Sequence, residues 1–406
     1  MYELAIQDLE GGRRAGSRIT PFTKIEKLST GKYKAPRMIQ ARDIKFNIEY
    51  GTYIKPIEDA CGKRLQFAKG TNSMIAQRIR KLSNRFKYYT ECDHTTFDAH
   101  VTAEMLKLTH TFYLSCYHHN KELKKYARRT INNNCKTRDG IKYRVIGSRM
   151  SGDVDTSFGN SLINYAILKQ AVIETTGKCE VIVNGDDSII FTNIPIDVNK
   201  LKTLLLSYNM QSVVKESTNC IHKVEFCRHR YIINNLGMPA LMIDPYRIND
   251  IYGMTYKQQS DYVEYLRQVC ICNIAINHSN PVGHYWSEIY KANWNNPLKF
   301  SDIMNFRHIE LRARLVAMRE LQSYKELDSG ELNIDVYRAF GNLDKWLDDK
   351  DKIIKKIKKI KNLGYNDINS NRRNTRLFKL STNMLKYLPV SVNILVDHNA
   401  QRIMLR

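Results

Sequence analysis

The chain has 406 residues, with 64 Lys and Arg against 41 Asp and Glu and a net charge of +23. That length exceeds one ordinary core and suits a multi-lobed enzyme, and the charge points to a polyanionic partner, nucleic acid first and an anionic membrane surface second. Nine cysteines at irregular spacing and the lack of a signal-peptide pattern argue against a disulfide framework and for the reducing cytosol, and no run approaches the roughly 18 apolar residues of a spanning helix.

The first fifty residues are basic and interrupted by Gly11-Gly12, Gly16, Pro21, Gly31 and Pro36, which predicts an extended region. Phe86, Tyr88 and Cys92 fall at even spacing and predict a half-buried strand over 85–93. Val101, Met105, Leu108 and Phe112 then recur at helical spacing, so a strand delivers Asp93 and a helix begins near Asp98. Residues 120–150 are polar and basic, carry turn signals at Asn132-Asn133-Asn134 and Asp139-Gly140, and read as an insertion ending at Ser151-Gly152.

From Thr156 the pattern Phe158, Leu162, Tyr165, Ala166 to Ile173 predicts a helix of about five turns, with Gly177 as its cap. Thr156, Asn160 and Asn164 share one face of it. Val181-Ile182-Val183 and Ile189-Ile190-Phe191 flank Asn184-Gly185-Asp186-Asp187 as two short strands around a tight turn. Beyond about residue 240 the pattern is helical, with amphipathic stretches at 255–275 and 301–325 and a lysine-rich segment near 350–361.

Asp93 at a strand end and Asp186 at a hairpin tip are carboxylates on separate rigid elements, an arrangement that can bracket the divalent ions of phosphoryl transfer, with Asp187 as a secondary ligand. Mg²⁺ is the expected metal, with Mn²⁺ as a substitute, because Mg²⁺ takes few protein oxygens and fills its remaining positions from phosphates and water. Taken singly, each aspartate reads as a turn or capping residue. The Ser151-Gly152 to Gly159-Asn160 segment between them, in this order, favours the catalytic reading.

These residues resemble the motifs of RNA-dependent RNA polymerases of positive-strand RNA viruses, most closely the tombusvirus-like group. Asp93 to Asp98 resembles the family's motif A, Ser151 to Asn160 motif B, and Gly185-Asp186-Asp187 motif C. Residues 32–58 resemble motif F and the stretch after it, Lys215 matches motif D, and residues 224–230 match motif E, so the resemblance runs from about Lys32 to Arg230. It implies an α+β right-hand polymerase with an antiparallel-sheet palm, basic fingers and a mainly helical thumb. The expected divisions are an N-terminal fingers segment at 1–84, palm at 85–102, a fingers insertion at 103–150, palm again at 151–240, and thumb at 241–406.

Carried over by position, the resemblance implies metal binding by Asp93, Asp186 and Asp187. It implies contact of Lys34 and Arg37 with an incoming ribonucleoside triphosphate, with Arg42 in the same basic strip. It also implies a ribose 2′-hydroxyl sensor made by Asp98 and Asn160 with support from Ser151 and Thr156. A carboxylate beside an amide suits that task on chemical grounds, because together they accept from and donate to a hydroxyl. Lys215 is the general-acid candidate toward pyrophosphate. Lys32, Lys34, Arg37 and Arg42 alternate along an extended segment and can aim cations at one face.

The implied partners are RNA template and product and ribonucleoside triphosphates; because family members usually carry a longer N-terminal portion, often with a membrane-anchored domain, the chain is expected either to be a fragment or to rely on a membrane-anchored viral replication protein as a further partner. The expected location is the host cytoplasm, at membrane-associated replication complexes. The rival readings are a non-catalytic RNA-binding polymerase-like subunit and a reverse transcriptase. Three clustered carboxylates argue against the first; the ribose sensor and the Gly185-Asp186-Asp187 turn argue against the second. Cys220, His222, Cys227 and His229 read either as zinc ligands on one hairpin face or as part of a primer-supporting hairpin with buried thiols. The segment from Lys352 to Lys361 reads either as a helix packed by Ile353, Ile357 and Ile360 or as a contact for RNA or an anionic membrane.

Overall fold

A computed structural model describes residues 2–27, 35–255 and 259–362, together with two short strands at 394–396 and 403–405. The chain opens with helix α1 (Tyr2–Glu10), strands β1 (Ile19–Thr23) and β2 (Met38–Arg42), and helices α2 (Ile44–Cys61) and α3 (Asn72–Ser83). Strand β3 (Tyr88–His94) leads through the single turn α4 (Phe97–His100) into α5 (Ala103–Cys116) and α6 (Lys121–Arg129), followed by β4 (Asn132–Lys136) and β5 (Lys142–Ile146). Helix α7 (Thr156–Thr176) precedes the hairpin of β6 (Cys179–Asn184) and β7 (Asp187–Thr192), then α8 (Val198–Ser207) and β8 (Ser212–Val214). Strands β9 (Glu225–Phe226), β10 (His229–Ile233) and β11 (Pro239–Ile243) follow. The helices α9 (Pro245–Ile251), α10 (Tyr262–Ile276), α11 (Pro281–Asn293), α12 (Leu311–Leu321), α13 (Ile334–Phe340) and α14 (Asp344–Asn362) come next, and the two last strands are β12 (Ile394–Val396) and β13 (Ile403–Leu405).

The uninterrupted apolar runs of the β6–β7 hairpin have a direct structural cause. The antiparallel sheet β6-β7-β3-β8 is covered on both faces, so successive side chains are buried on opposite sides. Val181, Val183 and Ile190 pack with Ile163, Ile167 and Leu168 of α7. Ile182, Ile189 and Phe191 pack with Ile75, Ile79 and Leu82 of α3 and with Leu241 of β11. Helix α3, expected with the N-terminal segment, therefore belongs to the core under the central sheet.

A second sheet, β2-β1-β4-β5, joins sequence-distant pieces: β4 pairs with β1 through Ile19↔Cys135. The polar stretch expected as an insertion thus supplies half of a sheet whose other half is the N-terminal region. Helix α7 spans the predicted length and ends at Gly177, whose φ of +78 suits glycine.

The face of α5 differs from the predicted one. Val101 is extended and α5 starts only at Ala103 after the Thr102 cap, so Val101 cannot set the helical phase. Leu106, Thr109, His110 and Tyr113 are buried, whereas Leu108 is 71% exposed.

The C-terminal helices share one core around Trp286 and Trp346, with Tyr285 stacked on Trp346 at 4.2 Å between ring centroids. Lys27, from the N-terminal region, reaches this layer and donates to the Tyr265 hydroxyl at 2.8 Å. Ile357 of α14 is buried in the same core with Ile353 and Ile360 against it, while Lys352, Lys355, Lys356 and Lys359 face solvent. No helix among the described residues is long and apolar enough to cross a membrane.

This division of α14 is testable by urea unfolding. Ile357→Ala should cost about 2–5 kcal/mol of stability, whereas Lys355→Gln should change it by less than about 0.5 kcal/mol.

Candidate active site

Strand register decides where the carboxylates sit. Strand β3 pairs with β7 through Cys92↔Ser188 and with β8 through Asp93↔Val213. In the β6–β7 hairpin Asn184 pairs with Asp187, which leaves Gly185 and Asp186 as a two-residue turn. Gly185 has φ +65 at the first turn position, the left-handed geometry that such hairpins reserve for glycine. The turn lies level with the Asp93 end of β3, and Asp93, Asp186 and Asp187 are all exposed there. They share one field: the protein around it, then the charges of Asp186 and Asp93, push the Asp187 carboxyl up to about 6. The Cys227 thiol, at the β9–β10 turn, is hydrogen-bonded to the same carboxylate.

Helix α7 holds the turn. Ser161 Oγ accepts from the Gly185 amide at 2.8 Å, and Asn164 Nδ2 donates to the carbonyls of Gly185 and Asp186, each at 3.0 Å. With two carbonyls on that side, the Asn164 Oδ1 is the atom that pairs with His94 Nε2 at 2.9 Å, and His94 Nδ1 meets Ser212 Oγ at 2.7 Å. One amide thereby ties the turn to β3 and β8. The four-residue spacing places Asn164 on one face with Thr156 and Asn160 but gives no sign of this task. Ser161, His94 and Ser212 had no sequence signal beyond proximity to the motifs.

One turn earlier on α7, Asn160 Nδ2 donates to Asp98 Oδ1 at 2.7 Å. Thr96, with φ 48, is a β-branched residue in the left-handed region, and this strained turn directs the chain from Asp93 to Asp98. Burial raises the Asp98 carboxyl pKa, opposed by the Asn160 hydrogen bond and the charge of Arg149. Ser151 and Thr156 bond elsewhere: Ser151 Oγ accepts from the Gln40 amide at 3.0 Å, and Thr156 Oγ1 donates to the Met150 and Asp153 carbonyls at 2.9 and 2.8 Å. They shape the loop that precedes α7 and docks it on β2. A Cβ at Gly152 would lie 2.7 Å from the Gln40 oxygen and the Ala41 Cα, so that docking requires glycine.

A family profile described as viral RNA dependent RNA polymerase matches residues 3–341. The chain belongs to this family. It is 29% identical over 318 residues to the RNA-directed RNA polymerase of Turnip crinkle virus, covering 72% of this chain and 40% of that protein. The corresponding protein of Maize chlorotic mottle virus is 27% identical over 316 residues, covering 72% and 32%. That of Groundnut rosette virus is 30% identical over 237 residues, covering 53% and 28%. The chain therefore spans two fifths or less of the length of these relatives, which bear out the resemblance to the tombusvirus-like group. The match extends the motif-bearing stretch at both ends and stops just before α14.

Among the basic residues of the expected strip, Lys32 and Lys34 lie outside the described residues. Arg37 is exposed and paired with Glu26 through both carboxylate oxygens; the pairing holds the Glu26 carboxyl down to about 2, and Asp186 adds to the field at Arg37. Its charge therefore reaches the carboxylate cluster.

Arg42 departs from the expected phosphate-facing strip. It is buried, bonded to Asp153 at 2.5 and 2.9 Å and to Asn133 Oδ1 at 2.6 Å. Pattern alone does not separate a cation aimed at phosphate from one aimed at a buried aspartate.

Lys215 pairs with Glu91, which lies two residues before Asp93 on the same face of β3 and also accepts from the Glu225 amide at 2.8 Å. Glu91 thus clamps two motifs, a role that strand alternation alone could have signalled. Cys220, His222, Cys227 and His229 do not converge. His222 binds the Tyr231 carbonyl at 2.9 Å and faces Asp335, while His229 binds the Cys227 carbonyl at 2.7 Å.

Among the described residues, no three His, Cys, Asp or Glu side chains form a ready metal cage. The donor chemistry nevertheless fits a hard divalent cation: Asp93, Asp186 and Asp187 offer exposed carboxylate oxygens, and after burial the charges of Asp186 and Asp93 push the Asp187 carboxyl up. An open set of this kind suits an ion that completes its sphere with phosphate and water.

Two outcomes follow from these contacts. Arg42→Met leaves Asp153 buried without its cation and should cost about 3–5 kcal/mol in denaturant unfolding, whereas Arg37→Met should stay within about 0.5 kcal/mol. For Asp187, the folded pKa of about 6 lies above its ordinary 3.8, so between those values the native state binds more protons than the unfolded state, and this group's contribution to stability falls as pH rises. Asp186→Asn removes part of the repulsion. In metal-free thermal melts, its stability relative to the wild type should therefore increase from pH 4 to pH 7.

Proposed function

We propose that the chain carries the catalytic core of an RNA-directed RNA polymerase, which extends an RNA 3′-hydroxyl with ribonucleoside triphosphates on an RNA template and replicates a viral genome. The observation that carries this reading is the meeting of Asp93, Asp186 and Asp187 at one sheet end, with the Asp98–Asn160 pair joining α4 to α7 beside it. In hand terms, the central sheet with α3 and α7 is the palm, the β2-β1-β4-β5 sheet belongs to the fingers, and the helices from Pro245 onward form the thumb.

Asp93 and Asp186, with Asp187 beside them, would hold Mg²⁺ or Mn²⁺. When bound, such ions polarise the reacting phosphoryl group and stabilise charge on the attacking and leaving oxygens. The protein's own residues position the reactants. Arg37, already within the field of Asp186, would exchange its Glu26 partner for triphosphate oxygens. Lys215 would give up Glu91 to protonate pyrophosphate. Asp98 would accept from the ribose 2′-hydroxyl while Asn160 donates to it, an interaction that deoxyribonucleotides lack. In this reading the chain works at membrane-associated replication complexes in the host cytoplasm.

The decisive assay is incorporation of labelled ribonucleotide on a short RNA template with Mg²⁺. Loss of a metal ligand removes several kcal/mol of transition-state stabilisation, so Asp186→Ala should reduce the rate at least about a thousandfold while RNA binding persists. Equal RNA binding with no extension by the wild type would instead identify a binding subunit.

A further inference from the structure

Arg149 is buried two residues before the Ser151-Gly152 loop, and none of the roles above uses it. Its side chain is 1% exposed and that of its partner Asp155 is 0% exposed, with Arg149 Nη1 donating to Asp155 Oδ2 at 2.7 Å. Its Nε donates to Asn160 Oδ1 at 3.1 Å, and its backbone amide donates to the Asp98 carbonyl at 2.9 Å. One residue therefore touches both members of the Asp98–Asn160 pair. Space for it is built in: a Cβ at Gly159 would lie 2.3 Å from Arg149 Nη2. Nη2 and Asp155 Oδ1 are buried without a hydrogen-bond partner, so the pair is not optimised for stability alone.

An asparagine amide has two orientations related by a half-turn. A guanidinium can only donate and a carboxylate can only accept. With Arg149 on one side and Asp98 on the other, a single orientation satisfies both, with Oδ1 toward Arg149 and Nδ2 toward Asp98. That orientation leaves one N–H of Asn160 and one oxygen of Asp98 for a hydroxyl. We propose that Arg149, locked by Asp155, is a positioning residue for ribose selection: it fixes the Asn160 amide so that the pair accepts a 2′-hydroxyl. The proposal rests on the reading of Asp98 and Asn160 as the ribose sensor. A residue that merely held the fold would affect ribo- and deoxyribonucleotides alike.

The test is single-nucleotide extension on an RNA template, comparing kcat/KM for matched ribo- and deoxyribonucleoside triphosphates. Arg149→Met leaves Asp155 uncompensated, so the double variant Arg149→Met/Asp155→Leu, which removes both buried charges, is measured beside it. Loss of one oriented hydrogen bond corresponds to about a tenfold fall in the ribo-to-deoxyribo ratio, carried by the ribonucleotide, and Arg149→Lys, still a donor-only cation, should recover part of it. Asn160→Ala serves as the control for the sensor. If it lowers the ratio while the Arg149 variants depress both nucleotides equally, the positioning role is overturned and the sensor stands. If Asn160→Ala leaves the ratio unchanged, the sensor reading fails and the inference fails with it.

Discussion

Mutual repulsion among Asp93, Asp186 and Asp187 is the constraint on which the rest of the structure depends. Three carboxylates at one sheet end resist being brought together, and their charges add to burial, the larger cause, in pushing the Asp187 carboxyl up to about 6. They stay together because their backbone has nowhere else to go. The β3–β7 and β6–β7 registers are fixed by side chains buried on both faces, where a one-residue slip would exchange the two faces of the hairpin. Stability gained in the two cores offsets the electrostatic cost at the edge, a common arrangement at functional sites.

Helix α7 extends this control from backbone to side chains. Its apolar residues, including Ile163, Ile167 and Leu168, pack on the sheet. Asn160, Ser161 and Asn164, all buried, carry hydrogen bonds that set the Asp98 carboxylate and the turn. The helix therefore transmits the position of the sheet to both the Asp98–Asn160 pair and the Gly185-Asp186 turn without a flexible link. Buried amides are expensive unless every donor and acceptor is matched, and Asn164, with both carbonyls and His94, is fully matched.

Much of this was legible in the sequence where one local pattern decides the outcome. The β6–β7 hairpin, α7 with Gly177, and a strand ending near Asp93 follow from periodicity and turn chemistry. Long-range pairing was not legible. The polar stretch 132–146 carries no mark of its partnership with β1, and α3 gives no local sign that it packs beneath the central sheet. Arg42 and Ser151 were assigned by position in a motif, yet each is spent on a neighbouring loop or strand, because sequence order does not show which partner a side chain reaches. The phase of α5 failed for a simpler reason, a helix break at Val101 that apolar spacing disguised.

The loop between β5 and α7 carries the consequence of those buried charges. Asp153 and Asp155 lie two residues apart, one clamped by Arg42 from β2 and the other by Arg149 from the loop itself. Replacing such pairs with apolar residues is often neutral or stabilising, so their value lies in fixing geometry. Here the geometry couples two tasks. The strand that follows Arg37 and the Asp98–Asn160 pair are pinned to the same short segment, also held by Ser151 and Gly152 against Gln40. A displacement of β2 would therefore be felt at Asn160 through Arg42, Asp153, the loop, Asp155 and Arg149. In the proposed reading, phosphate contact and sugar discrimination share this rigid connection, so a nucleotide that seats its triphosphate on Arg37 would meet an Asp98–Asn160 pair already set for its ribose.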